Sequence, residues 1–259
     1  MKTNESRCVL ALGCDKAGNP KHCTKICSAF VSLHGASGTG GRIASANIPS
    51  DYALTTLRNS PVRDAQPTEY KALDAYVKTF RRAFEADSDA IKSVYIYSPT
   101  AGNGKTTTAA ALLHEWIIRQ YVGALQAEQQ PIQHPGYFLE VNALQQLHKR
   151  MFSPGSQAKK DEIGDEFNRR MDRAKSAPYL VVDDLAVRKY SESFMAEIYD
   201  LTNYRTSNVL PTVYTTNKTL EQLTELFLIE DPEGKVVSRI KDRCVIMEFN
   251  GGSKRGMRK

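Results

Sequence analysis

The stretch VYIYSPTAGNGKTTTAA, residues 94–110, decides how the rest of this sequence is read. Val94 to Tyr97 are β-branched and aromatic, which predicts a buried strand. Ser98 to Gly104 make a glycine-containing turn. From Thr106 the sequence is rich in alanine and leucine and predicts a helix to about Gln120. A strand, a glycine loop, Lys-Thr and a helix together form a cradle for phosphate. Gly102 and Gly104 let backbone N–H groups turn inward, and the helix N-terminus adds unpaired N–H groups and its dipole. Lys105 would reach the β- and γ-phosphates as a point charge, and the Thr106 hydroxyl would ligate Mg²⁺. The nucleotide-contacting set is Gly102, Asn103, Gly104, Lys105, Thr106 and Thr107. Pro99 stands where the pattern G-x-x-x-x-G-K-[ST] has its first glycine, so the loop begins with a fixed φ and one donor fewer.

Downstream, Tyr137 to Val141 predicts a second strand and Asn142 to about Met151 a helix. Residues 153–166 are polar, carry Pro154 and Gly155, and read as a loop. Asp165 to Lys175 reads as a charged helix with a solvated face. The run YLVVDDL then supplies an apolar central strand, Tyr179 to Val182, with Asp183 and Asp184 at its C-terminal end. Open α/β sheets bind ligands at that end. Asp183 is expected to hold Mg²⁺, and Asp184 to position or deprotonate the attacking water. Ser193 to Tyr204 is an amphipathic helix. LPTVYTTN gives another strand, ending in Thr216 and Asn217, and a polar group there would lie beside the γ-phosphate. Leu220 to Phe227 and Val236 to Arg243 read as helices, and Val245 to Phe249 as a last strand. The whole is an α/β fold, a parallel sheet flanked by helices.

Four of the five cysteines, Cys8, Cys14, Cys23 and Cys27, lie near the start. Their clustering in a chain with no secretory signal argues for Zn²⁺ rather than disulfides, in a small module that metal would hold folded. His22 and His34 are alternative ligands. Residues 35–47 are glycine-rich and read as a flexible join. The division expected is 1–46 for the zinc module and linker, 47–86 for a helical connector and 87–259 for the nucleotide domain. In the connector, Ser50 and Asp51 can cap a short helix. Tyr70, Leu73, Tyr76, Val77, Phe80 and Phe84 form one apolar stripe on a helix from about Thr68 to Ala86, and core packing accounts for them. No apolar run approaches the length of a membrane span, and MKTNESRCVLALG is too short in its apolar part for a signal peptide. A cytoplasmic protein without a membrane partner is expected. The formal net charge of +6 favours a polyanionic partner.

VVDDL, a helix ending in Tyr204-Arg205, PTVYTTN, SRIKDR and FNGGSKR follow one another in an order that resembles the DnaC/DnaI-type replicative-helicase loaders of bacteria and phages, which are AAA+ ATPases. IPSDY and the N-terminal cysteines extend the resemblance over most of the chain. It implies an AAA+ fold, ATP with Mg²⁺, slow hydrolysis stimulated by assembly or DNA, and a switch that places a hexameric ring helicase on single-stranded DNA. Lys105 and Thr106 resemble the Walker A pair, and Asp183 with Asp184 resemble Walker B. Asn217 resembles sensor 1, Arg243 the arginine finger that completes a neighbour's site in a homo-oligomer, and Arg255 sensor 2. The EDPEG insertion before RIKDR departs from the pattern. Three other readings compete. A transposition helper ATPase of the IstB type would bind duplex DNA. A zinc-dependent adaptor with a degenerate nucleotide site draws only on Pro99. A small-molecule kinase leaves the late arginines without a role.

Overall fold

The computed structural model describes residues 3–250. Its frame is one five-stranded sheet, all of whose pairings are parallel: β1 (Ser93–Tyr97), β2 (Tyr137–Glu140), β3 (Leu180–Leu185), β4 (Thr212–Thr216) and β5 (Cys244–Glu248), in spatial order β2-β3-β4-β1-β5. The central strands are buried on both faces, which is why they read as continuous apolar runs rather than alternating ones. Successive side chains serve opposite layers. Val94, Ile96, Val181 and Val213 pack on one side, and Tyr95, Leu180, Val182 and Tyr214 on the other.

Nine α-helices complete the described residues: α1 (Ser28–His34), α2 (Gly41–Ser45), α3 (Pro67–Tyr76), α4 (Lys105–Gln126), α5 (Val141–Met151), α6 (Gln157–Ser176), α7 (Glu192–Ser207), α8 (Leu220–Leu226) and α9 (Lys235–Arg243). The first layer is α4 with the chain that precedes β1; the second is built by α5 to α9. The connector stripe is buried at Tyr70, Leu73, Tyr76, Val77 and Phe80, but it is wound as α3 and then as 3₁₀ turns over Val77–Phe84. Ser50–Tyr52 is likewise a 3₁₀ turn, and neither Ser50 nor Asp51 caps it with a side chain.

Two further segments differ from the sequence reading. The polar stretch after Gly155 is helical from Gln157, because Ile163, Phe167, Met171 and Ala174 bury one side at helical spacing while the other side is charged. The glycine-rich join contains α2 and is pinned in place. Arg42 donates to Ser32 O at 3.0 Å, Pro131 O at 2.8 Å and Ile132 O at 2.8 Å, and stands over the Tyr121 ring. Gly41 has φ +65°, and a Cβ there would lie 2.6 Å from Leu33 O, so only glycine fits.

The segment before α3 is packed onto α4. Val9, Leu33 and Ala46 share a buried cluster with Ala109, Leu112 and Leu113 of α4. His34 fixes part of this seam. Its Nε2 accepts the Val9 N–H at 3.0 Å and its ring stacks on Phe30 at 5.0 Å. Burial, with the Arg7 cation adding to it, pushes His34 down to about 4 from 6.5. The folded chain therefore holds this ring neutral where the unfolded chain would protonate it. The stabilisation is whole above pH 6.5 and disappears as pH falls toward 4, an effect of up to about 3 kcal/mol. Buried His114 is also held down to about 4 and adds a parallel slope. Thermal melts of His34→Gln, whose amide oxygen can accept the same N–H without titrating, are expected to lose less Tm between pH 7 and pH 4.5 than the parent; equal losses would refute this.

Candidate nucleotide site

The loop after β1 and the acids after β3 meet at the C-terminal edge of the sheet. Gly102 and Gly104 take φ of +83° and +96°, turning the backbone into α4. A Cβ at Gly104 would lie 2.6 Å from Val62, so the segment before α3 closes directly over the loop. Thr106, in the first turn of α4, donates from Oγ1 to Asp183 Oδ2 at 3.3 Å. Lys105 is buried, and its Nζ donates to Thr100 O at 3.1 Å and Asn103 Oδ1 at 3.4 Å. Thr107 is buried behind it, and Thr108 Oγ1 meets Tyr70 OH at 2.8 Å, tying α4 to α3.

Adjacent residues on a regular strand point to opposite faces. Here the β3–β4 ladder shifts register between Val182 and Leu185, and Asp184 sits at φ +59°. The irregularity re-aims the second acid, as bulges beside active sites do. Asp183 is buried, and burial followed by the neighbouring Asp184 carboxylate pushes it up to about 7. Thr215 Oγ1 donates to Asp183 Oδ1 at 2.7 Å and accepts the Asp184 N–H at 3.0 Å. Asn142, in the first turn of α5, donates from Nδ2 to Asp184 Oδ2 at 3.2 Å. Thr215 and Asn142 were not among the site residues expected from the sequence. A polar pair ending an otherwise apolar strand signals the first; nothing distinguishes the second from an ordinary helix start.

Asn217 follows β4 at the same edge, where Ser98 N donates to Thr216 O at 3.2 Å. Among the described residues it makes no side-chain hydrogen bond to either acid; Thr215 occupies that position. Arg243 lies elsewhere. It ends α9 and is exposed, and the next residue, Cys244, pairs with Ser93 at the beginning of β1, while the phosphate loop follows the end of β1. The five-residue strand puts about 13 Å between those two edges. Arg255 lies outside the described residues.

The oxygen donors of Thr106 and Asp183 fit a hard cation such as Mg²⁺, and a buried carboxyl held near neutral pH is a group that a cation would relieve. The zinc expectation fares differently. Cys8, Cys14, Cys23 and Cys27 are free thiols, and among the described residues no group of three or more His, Cys, Asp or Glu could hold a metal ion. Burial raises the Cys8 thiol, with smaller contributions from Cys27, Cys14 and Cys23. His34 is engaged by Val9 instead. The segment is held by the core contacts of Val9 and Leu33, by Asn4 donating to Thr24 O at 2.6 Å, and by Arg7 over the Phe30 ring.

A parallel sheet in this order, with a lysine–threonine loop after β1 and an acid pair after β3, has the α/β arrangement of a P-loop fold. Solved structures with the same fold include DnaI, at 18% identity and TM-score 0.54, with 83% of this chain and 100% of that one covered. The DnaC helicase loader is similar at 21% identity and TM-score 0.51, covering 78% and 100%. AMPPCP-bound DnaA from Aquifex aeolicus is similar at 16% identity and TM-score 0.50, covering 79% and 51%. The resemblance read from the motifs thus holds at the level of the fold. No family model and no curated protein sequence matches the chain. No helix among the described residues is long and apolar enough to cross a membrane.

Proposed function

We propose that this chain is a cytoplasmic ATP-dependent loader that binds a ring-shaped replicative helicase and assists its placement on single-stranded DNA, with ATP binding and slow hydrolysis as the switch. The observation that carries the nucleotide part is the joined cradle, in which the Thr106 hydroxyl of the loop helix bonds the Asp183 carboxylate of β3. The helicase part draws on the order of motifs from VVDDL to FNGGSKR and on the fold shared with DnaI and DnaC.

Bound ATP·Mg²⁺ supplies the phosphoanhydride and much of the charge neutralisation. The N–H groups at Gly102, Asn103, Gly104 and Thr107, with the Lys105 ammonium, hold phosphate oxygens, and Thr106 and Asp183 hold the cation. Asp184 takes the proton of the attacking water, with Asn142 fixing which way its carboxylate faces. Asn217 lies at the sheet edge where that water enters, and Arg255 contacts the nucleotide of its own subunit. Arg243 completes the site of a neighbouring copy in a homo-oligomer.

The helicase contact falls on the N-terminal segment, where Ile26 is 88% exposed. Deleting residues 1–46 would uncover the α4 core, so the test uses point variants of the full chain. A hexameric replicative helicase is expected to co-purify with the parent in ATP·Mg²⁺, to be lost with Lys105→Ala, and to be weakened severalfold with Ile26→Asp. Capture of a transposase and duplex DNA in its place would favour the IstB-type reading and sink this one.

A further inference from the structure

The phosphate loop lacks its usual first glycine, and the Asn103 side chain braces it. Asn103 is buried, 3% exposed. Its Nδ2 donates to Ser98 Oγ at the start of the loop, to Phe249 O at 2.9 Å beyond the end of β5, and longer, at 3.4 Å, to Thr100 Oγ1. Its Oδ1 accepts from Lys105 Nζ at 3.4 Å. A primary amide has one acceptor oxygen and two N–H donors, so this amide is fully engaged. It spans both ends of the loop, the phosphate-binding lysine and the last strand.

We propose that Asn103 is a positioning residue that makes nucleotide binding at the loop and the seating of the β5 end mutually dependent. The inference rests on the nucleotide reading above. In this structure the Lys105 ammonium is turned into its own loop, onto Thr100 O and Asn103 Oδ1. Reaching a phosphate requires it to turn away from both, which removes the acceptor contact holding the Asn103 amide in this orientation. The donors of the same amide group then lose their alignment on Phe249 O and Ser98 Oγ.

β5 is the element able to respond. Among the described residues it is an edge strand, paired with β1 alone. At this end Met247 and Phe249 are buried in the core, and the polar ties are Phe249 N donating to Tyr97 O at 2.8 Å, Tyr97 OH donating to Glu248 at 2.9 Å, and the Asn103 tie. A strand paired on one side opens at lower free-energy cost than a central one. Coupling between two binding events is reciprocal, so a seated β5 end also sets how readily Lys105 is released to the nucleotide. The loop thereby reports occupancy to the chain beyond Phe249.

The experiment uses the full chain and ATP·Mg²⁺ as the probe, with nucleotide affinity by calorimetry and hydrogen exchange followed over residues 244–250. In the parent, ATP·Mg²⁺ is expected to change exchange in that segment severalfold. Asn103→Ala lacks the contacts that ATP must break, and is expected to bind ATP severalfold more tightly and to exchange rapidly there whether or not nucleotide is bound. Asn103→Asp is nearly isosteric and keeps the acceptor for Lys105 but cannot donate to Phe249 O. It is expected to lose the nucleotide-dependent change while remaining folded, which keeps the test readable if the alanine variant does not fold. A nucleotide-dependent change that survives in Asn103→Asp overturns the inference, and so does a parent that binds ATP with no change over 244–250. A parent that binds no ATP overturns the nucleotide reading itself, and this inference with it.

Discussion

Arg243→Ala is expected to bind ATP·Mg²⁺ as tightly as the parent chain and to lose its stimulated hydrolysis by roughly 10³-fold or more, the range for an arginine supplied in trans. The expectation follows from which edge of the sheet the residue occupies. Arg243 comes just before Cys244, which is in register with Ser93, whereas the loop that carries Lys105 begins after Tyr97, in register with Glu248. Its own phosphate site is a full strand length away, on the far side of a packed sheet. Arg239, one turn earlier on the same helix, is committed to Asn203 Oδ1 at 2.7 Å and Ser207 Oγ at 3.0 Å, which fixes α9 against α7 and leaves Arg243 facing outward. A guanidinium so placed can neutralise transition-state charge only in another copy. Turnover should therefore rise faster than linearly with protein concentration. Mixing supplies the sharper check. Arg243→Ala keeps a cradle and lacks the arginine, while Lys105→Ala has the arginine and no working cradle. Each alone should be inactive, and the mixture should regain part of the parent rate. A mixture as inactive as its components, or an Arg243→Ala variant hydrolysing at the parent rate, would remove the trans role.

The loop and acid pair of the candidate site were legible because their parts are local. A β-branched run, two glycines, Lys-Thr and an alanine-rich helix are contiguous, so pattern alone joins them, and the acids of VVDDL follow an equally clear strand. What escaped depends on register. Thr215 touches Asp183 only because β4 lies beside β3 with a shift between Val182 and Leu185, and Asn142 reaches Asp184 only because β2 is the neighbour on the other side. No one-dimensional spacing encodes either contact. The cysteines differ for a related reason. Their clustering suggested a metal, but among the described residues they form no metal-holding group, and Val9, between the first two, and Leu33, just after the last, find a core on α4. The start of α6 was hidden by charge. Residues 157–166 are dominated by polar side chains, and the apolar stripe that commits them to a helix becomes regular only from Ile163 onward. Arg205 was visible merely as part of a motif, since nothing about an arginine near the end of an amphipathic helix announces complete burial.

That burial leads to the largest stability effect expected in this chain. Arg205 is 0% exposed, and burial lowers its guanidinium to about 10. Among the described residues no carboxylate meets it. Nε donates to Thr212 Oγ1 at 2.8 Å, Nη1 to Ala174 O, Lys175 O and Ala177 O at 2.8, 3.1 and 3.0 Å, and Nη2 to Pro211 O at 2.9 Å. Ala174 and Lys175 lie in the last turn of α6, whose final carbonyls have no partners within the helix and carry the negative end of its dipole. The guanidinium thus closes the end of α6 and binds it to the residues that lead into β4, with β3 running between them. A buried ion pair can often be exchanged for apolar residues because both partners can be replaced together. Here four of the five acceptors are backbone carbonyls, which no substitution removes. Arg205→Ala leaves them unsatisfied around a cavity and is expected to destabilise the fold by about 3–5 kcal/mol. Arg205→Met fills most of the cavity without donors and should recover only part of that loss. Arg205→Lys keeps the charge but not the planar fork, and should resemble Met more than the parent. Chemical denaturation of the three variants measures each cost. Because β3 carries Asp183, a folded Arg205→Met chain should also bind ATP·Mg²⁺ more weakly although the substitution touches no nucleotide-contacting residue. Unfolding free energies within about 1 kcal/mol of the parent for Arg205→Ala would show that the carbonyls find other partners, and the hub would then have no energetic role.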